Sequence, residues 1–144
     1  MYPIIPLRHC GIGLSEYRRR LEFAVLDVCR ELHVAAHRMD DEPGVFCKLG
    51  QLAQVGVAVR SWVSYHGLTL NVRPDLSLVR QTRSNSRGVK ATSFEAVRQR
   101  LTEVPQVRES LIRNLAERLG YETTNLFTQI PGLRRGTRSS NDNF

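Results

Sequence analysis

Two neighbouring stretches, residues 51–60 (Gln51-Leu52-Ala53-Gln54-Val55-Gly56-Val57-Ala58-Val59-Arg60) and residues 64–72 (Ser64-Tyr65-His66-Gly67-Leu68-Thr69-Leu70-Asn71-Val72), constrain the fold more than any other part of the chain. In the first, Ala53, Val55, Val57 and Val59 recur at every second position, the period of a strand with one buried face. In the second, the same period puts His66, Leu68, Leu70 and Val72 on one face and Tyr65, Gly67, Thr69 and Asn71 on the other. Only Ser61-Trp62-Val63 separates the two, so they are predicted to be neighbouring strands. Upstream, Val45-Phe46-Cys47-Lys48 reads as a shorter strand that Leu49-Gly50 turns back into the one starting at Gln51, a hairpin.

The flanking segments carry helical signals. Glu16 suits the positive end of a helix dipole, and Ser15 before it reads as the N-cap. Tyr17, Leu21, Ala24, Val25, Val28, Cys29 and Leu32 then recur at three- and four-residue spacing, which predicts an amphipathic helix to about Leu32. Met39-Asp40-Asp41-Glu42-Pro43-Gly44 is an acidic, turn-rich connector. After the strands, Arg73-Pro74-Asp75-Leu76-Ser77 is expected to leave the sheet through a single helical turn, and 81–90 reads as a polar loop. Thr92-Ser93-Phe94-Glu95 has capping-box spacing and is expected to open a helix to about Leu101. Pro105 suits a first helical turn, and Val107, Leu111, Leu115 and Leu119 continue as an apolar stripe to a Gly120 C-cap.

With 144 residues the chain is one domain's worth. That domain is expected over 1–120, with 121–144 a basic, flexible tail whose apolar content is too low to fold. No stretch approaches the ~20 apolar residues of a membrane span, and Met1 to Leu7 lack a basic leader, so a cytoplasmic protein is the expectation. The net charge of +7 is carried almost wholly by arginine, Lys48 and Lys90 being the only lysines. No aromatics interleave with those arginines as a base-stacking surface would require, which argues against nucleic acid as the partner. Cys10, Cys29 and Cys47 are an odd number without C-x-x-C spacing. His33 and His37 have neither a Glu between them nor a third ligand following, so no metal site is expected.

Several segments in order resemble the lipoyl(octanoyl) transferase family. They are Tyr2-Pro3-Ile4, the helix containing Arg19-Arg20-Leu21-Glu22, Pro43-Gly44-Val45-Phe46, Gln51 to Val57, His66-Gly67-Leu68-Thr69-Leu70-Asn71-Val72 and Pro74-Asp75-Leu76. The resemblance covers roughly Tyr2 to Gly120. It implies an α+β fold, a mixed sheet flanked by helices like the biotin/lipoate protein ligase catalytic core. It also implies a reaction in which an octanoyl group passes from acyl carrier protein to an enzyme cysteine and then to a lysine of a lipoyl domain. Acyl carrier protein and lipoyl domains are therefore the partners it implies; no cofactor is.

Such chemistry needs a thiolate, and a neighbouring lysine to help form it. Where the family places that lysine this chain has Gln51, and a gap-free count from the His-Gly-Leu strand puts Asn85 at the cysteine's position. A shift of one residue would offer Ser84 or Ser86, but Gln51 cannot serve either as a base. Cys47 and Lys48, neighbours on a strand, point to opposite faces and cannot substitute. Cys10 has no base at useful spacing. What the resemblance retains is the acyl-binding framework: Gln54, Val55, Gly56, Gly67, Leu68 and Thr69, with His66 beside them. Gly56 and Gly67 would let a ligand approach main-chain donors. The family's glycine-rich R-G-G…H-G-P-G-Q loop, which precedes the Tyr-Pro-Ile strand, has no counterpart before Met1, and a start assigned at an internal methionine is the expectation. Three readings follow: an octanoyltransferase by descent, degenerate or short; a pseudoenzyme that binds an acyl chain, acyl carrier protein or lipoyl domain without transferring anything; or, on net charge alone, a nucleic-acid-binding module.

Overall fold

The structure, a computed structural model, describes residues 1–81 and 85–124. The order of elements is α1 (Leu14–Glu31), β1 (Ala36–Arg38), β2 (Gly44–Cys47), β3 (Gly50–Arg60), β4 (Val63–Leu70), α2 (Leu76–Val79), α3 (Phe94–Arg98) and α4 (Val104–Leu119). The four strands pair consecutively and antiparallel in the order β1-β2-β3-β4. A parallel bridge joins Gln51 to Ala91 beyond them. The α+β architecture with helices against the sheet is the one the sequence leads to.

Helix α1 buries Tyr17, Leu21, Ala24, Val25, Val28 and Cys29, the stripe read from periodicity. Its start differs: Gly13, in an extended conformation, is the N-cap, and Ser15 lies inside the first turn. Helix α1 packs on the sheet, and α4 packs on α1. Val107, Leu111, Leu115 and Leu119 of α4 join Tyr17, Leu21, Val25, Leu52, Ala53 and Leu68 in a single core. At the polar seam between the two helices Glu31 accepts from Ser110, Asn114 and Arg113. Those donors, Ser110 foremost, hold its carboxyl down to about 2.

The shorter elements show what the local signals resolved. Asp75 caps α2 by accepting from the Ser77 N–H at 2.9 Å, so the single turn forms where expected. The next helix is capped by Ser93 rather than Thr92, its hydroxyl accepting from the Ala96 N–H. It ends at Gln99, whose φ is 52°, short of Leu101. Pro105 lies in the first turn of α4, and Gly120 ends that helix with a φ of 82°, as the C-cap reading requires. Strand β1 had no sequence signal, having three residues and no period; it exists because it pairs with β2.

The first residues run along the outer edge of β4. Met1 exchanges backbone bonds with Leu68, Ser64 N–H donates to the Ile5 carbonyl and Leu7 N–H to that of Trp62. An otherwise open strand edge is thereby covered. The proposed tail and Ser84 fall mostly or wholly outside the described residues, at 125–144 and 82–84.

Candidate functional site

Gln51 sits at a break in the alternation of β3. Phe46 pairs with Gln51 and Val45 with Ala53, which leaves Leu52 as an extra residue, a β-bulge. Leu52 and Ala53, sequence neighbours, are therefore both fully buried in the core. Bulges re-aim the side chains beside them, and Gln51 meets the loop that carries Asn85. Asn85 Nδ2 donates to Gln51 Oε1 at 2.9 Å across 34 residues of sequence. Both side chains are buried, at 2% and 7% exposed.

The same asparagine ties its own loop. Its Nδ2 also donates to the Val89 carbonyl, and its Oδ1 accepts from the Val89 N–H, both at 2.8 Å. The segment after it lies against the start of β3: Gln51 N–H donates to Lys90 and the Gln51 carbonyl accepts from Thr92. A Cβ at Gly50 would stand 2.1 Å from the Lys90 carbonyl oxygen, so glycine is needed for that approach. Two primary amides in contact hold each other without chemistry. Neither has a proton to surrender near neutral pH, and neither nitrogen is a nucleophile.

A second feature lies further along β3 and β4. A shallow cleft of about 340 Å³ is lined by Gln54, Gly56, Val57 and Ala58 of β3, by His66, Gly67, Leu68 and Thr69 of β4, and by Tyr2. Six of the seven positions that the resemblance assigns to acyl binding are gathered here. The seventh, Val55, is buried in the core opposite Leu68 and does not line the cleft. Gln51 and Asn85 do not line it either; Gln51 is three residues back along β3 from Gln54.

His66 departs from its expected face. The alternation puts it with Leu68 and Leu70, toward the core. It is instead exposed, with a φ of 64°, a left-handed conformation that costs a non-glycine residue of order 1–3 kcal/mol. That twist turns the ring between Tyr2, at 6.0 Å, and Tyr65, at 5.0 Å between centroids.

The two cleft glycines also differ. At Gly56 a Cβ would meet nothing within 4 Å, so the main chain is open to a ligand. At Gly67 a Cβ would lie 2.5 Å from Pro3 Cδ and 2.6 Å from the Met1 carbonyl oxygen. The small residue there makes room for residues 1–3 while its backbone still borders the cleft.

The thiols lie elsewhere. Cys29 and Cys47 are buried, and Cys10 is partly buried. Burial pushes the Cys29 thiol up to about 12, the opposite of an activated nucleophile. Cys47 is buried while Lys48 is exposed. Among the described residues no three His, Cys, Asp or Glu side chains group as metal ligands, and no helix is long and apolar enough to cross a membrane.

With this geometry in place, comparison with known proteins is decisive. The family model of the lipoyl protein ligase A/B catalytic domain matches residues 1–119. The chain belongs to that family. Curated relatives include an octanoyltransferase of Cellvibrio japonicus, 33% identical over 125 residues that make up 85% of this chain and 57% of the relative. Another, of Geobacter metallireducens, is 38% identical over 113 residues, 76% of this chain and 52% of the relative. The chain spans about half the length of these relatives. A solved structure of a putative lipoate protein ligase from T. acidophilum with bound lipoic acid superposes with a TM-score of 0.55. It is 18% identical and covers 77% of this chain and 48% of that one, a likeness of fold. Positions 51 and 85, to which the sequence resemblance assigned a base and a nucleophile, are brought into direct contact in this structure.

Sequence reasoning missed the carboxylates around this site. Glu22, fully buried on α1, accepts from the Arg38 side chain at 3.0 Å and from the Gly44 N–H at 3.2 Å. Glu42 accepts from Ser86. The signal available was faint: an acidic connector normally reads as solvated surface, and only spatial proximity shows what it grips.

Proposed function

We propose that this chain is a non-catalytic member of the octanoyl/lipoyl transferase group. In this reading it keeps an acyl-binding cleft between β3 and β4 and has lost the transfer step. The observation that carries this is the Asn85–Gln51 hydrogen bond of 2.9 Å. Two residues that the family pattern makes a thiol and an amine are neutral amides here, and they are bonded to each other. A cysteine–lysine pair works because the ammonium favours the thiolate and then relays its proton; an amide pair can do neither. The cleft, with a volume at the low end of small-molecule pockets, supports retention of binding. By resemblance its partners are acyl carrier protein and lipoyl domains, met in the cytoplasm.

Incubating the chain with octanoyl-acyl carrier protein, followed by intact-mass analysis, tests this. No octanoyl adduct should accumulate on the chain, and a lipoyl domain added afterwards should remain unmodified. An adduct on any cysteine or serine would overturn the reading.

A further inference from the structure

Glu42 sits in the connector between β1 and β2, among residues that a sequence reading leaves in solvent. Its neighbours Asp40 and Asp41 are largely exposed, yet Glu42 is only 6% exposed. Both of its carboxylate oxygens accept the Ser86 N–H, at 3.3 Å each, and Oε2 also accepts the Ser86 hydroxyl. Asp41 pairs with Arg87. The connector therefore grips the two residues that directly follow Asn85.

The connector is itself held from the other side. Glu22 of α1 fixes the Gly44 N–H and Arg38, and Arg38 reaches Asp40 at 2.7 Å. A carboxylate withdrawn from water requires donors, and Glu42 takes its donors from the loop that must be placed. The Asp41–Arg87 pair is more than half exposed on both sides and contributes little by comparison.

We propose that Glu42 is the positioning residue of this site: it sets the 85–90 loop so that position 85 meets position 51. This rests on the reading of 51 and 85 as the family's base and nucleophile positions. It adds that the scaffold which brings them together survives in this chain, independently of the two side chains themselves.

The test uses the full chain carrying Gln51→Lys and Asn85→Cys, with the rate of thiol labelling followed against pH. In that double variant an ammonium within hydrogen-bond reach should hold the thiol a unit or more below its ordinary value of about 8.5. Adding Glu42→Ala should return it most of the way. Adding Glu42→Gln should leave it unchanged or lower it, because the amide keeps an acceptor for Ser86 while removing an anion that disfavours the thiolate. Positioning and charge thus act with opposite signs. If Glu42→Ala lowers the value as Glu42→Gln does, the carboxylate is only a charge, and the proposal falls. If the thiol of the double variant titrates ordinarily before Glu42 is touched, the reading of positions 51 and 85 fails, and the proposal with it.

The native chain supplies a second readout. In Glu42→Ala the Asn85 side-chain amide should lose hydrogen-exchange protection at least tenfold, while Glu42→Gln retains it; equal protection in both overturns the proposal. A thermal melt confirms that each variant folds. If Glu42→Ala does not fold, Glu42→Asp, which shortens the arm by one methylene, takes its place in both measurements.

Discussion

At its N-terminal end β3 is gripped from every direction: β2 on one side, the 85–92 segment on the other, and Asn85 on the Gln51 side chain. At its C-terminal end the same strand pairs with β4 and borders an open cleft, with Gln54 and Gly56 exposed. The closed end carries buried polar groups that are costly to leave unpaired. The open end carries groups that water can satisfy at little cost. One strand thus combines a demand for exact partners at one end, where two buried amides are bonded to each other, with free space at the other. Substitutions should therefore be felt very unequally along one strand.

The largest effect is expected where the closed end is anchored. Glu22→Ala leaves Arg38 and the Gly44 N–H without their buried acceptor. Breaking a buried pair in this way costs about 3–5 kcal/mol. Because the Arg38 side chain is 23% exposed and can be partly rehydrated, the lower end of that range is the expectation. Urea unfolding followed by circular dichroism measures it. A loss below about 1 kcal/mol would mean that the connector is held by something other than this carboxylate.

Asn85→Ala should cost less, about 2 kcal/mol, since it removes the bonds to Gln51 Oε1 and to both backbone polar groups of Val89, part of which water reaching the exposed loop can replace. The unfolding midpoint in urea is again the readout. An unchanged midpoint would show that the loop is carried by Glu42 and the backbone bonds to Gln51 alone, and that the amide pair is incidental.

How much of this was legible in the sequence follows the same division. Helix α1, the β3–β4 pair, the α2 turn and the Pro105-to-Gly120 helix were readable because each rests on local signals: a period, a cap, a ring that fits a first turn. The pairing of positions 51 and 85 came from family resemblance, as no period links residues 34 apart. Strand β1 was invisible because three residues cannot display alternation. The Leu52 bulge and the left-handed His66 were invisible for a related reason: each breaks the period by which strands are read. Glu22 and Glu42 look like ordinary surface acids until the fold brings Gly44 and Ser86 to them.

The smallest expected effect lies at the open end, and it is informative because its control is adjacent. Gly56 and Gly67 face each other across β3 and β4, and an alanine at either adds one methyl. At Gly67 that methyl would collide with Pro3 and with the Met1 carbonyl. Overpacking of this kind costs about 1–3 kcal/mol. At Gly56 it meets no atom within 4 Å, so stability should stay within about 0.5 kcal/mol of the parent. A slight gain there would be consistent with the reduced freedom of an unfolded chain lacking that glycine. If the cleft is where an acyl group lies, however, Gly56→Ala places its methyl in the path of the ligand. It should weaken binding of octanoyl-acyl carrier protein at least tenfold while leaving the melt unchanged, and titration calorimetry on the folded variant reads that separation directly. Unaltered affinity in a stable Gly56→Ala chain would move the acyl group out of the β3–β4 cleft. The contrast between the two ends of β3 would then be one of stability alone, with no bearing on what the protein binds.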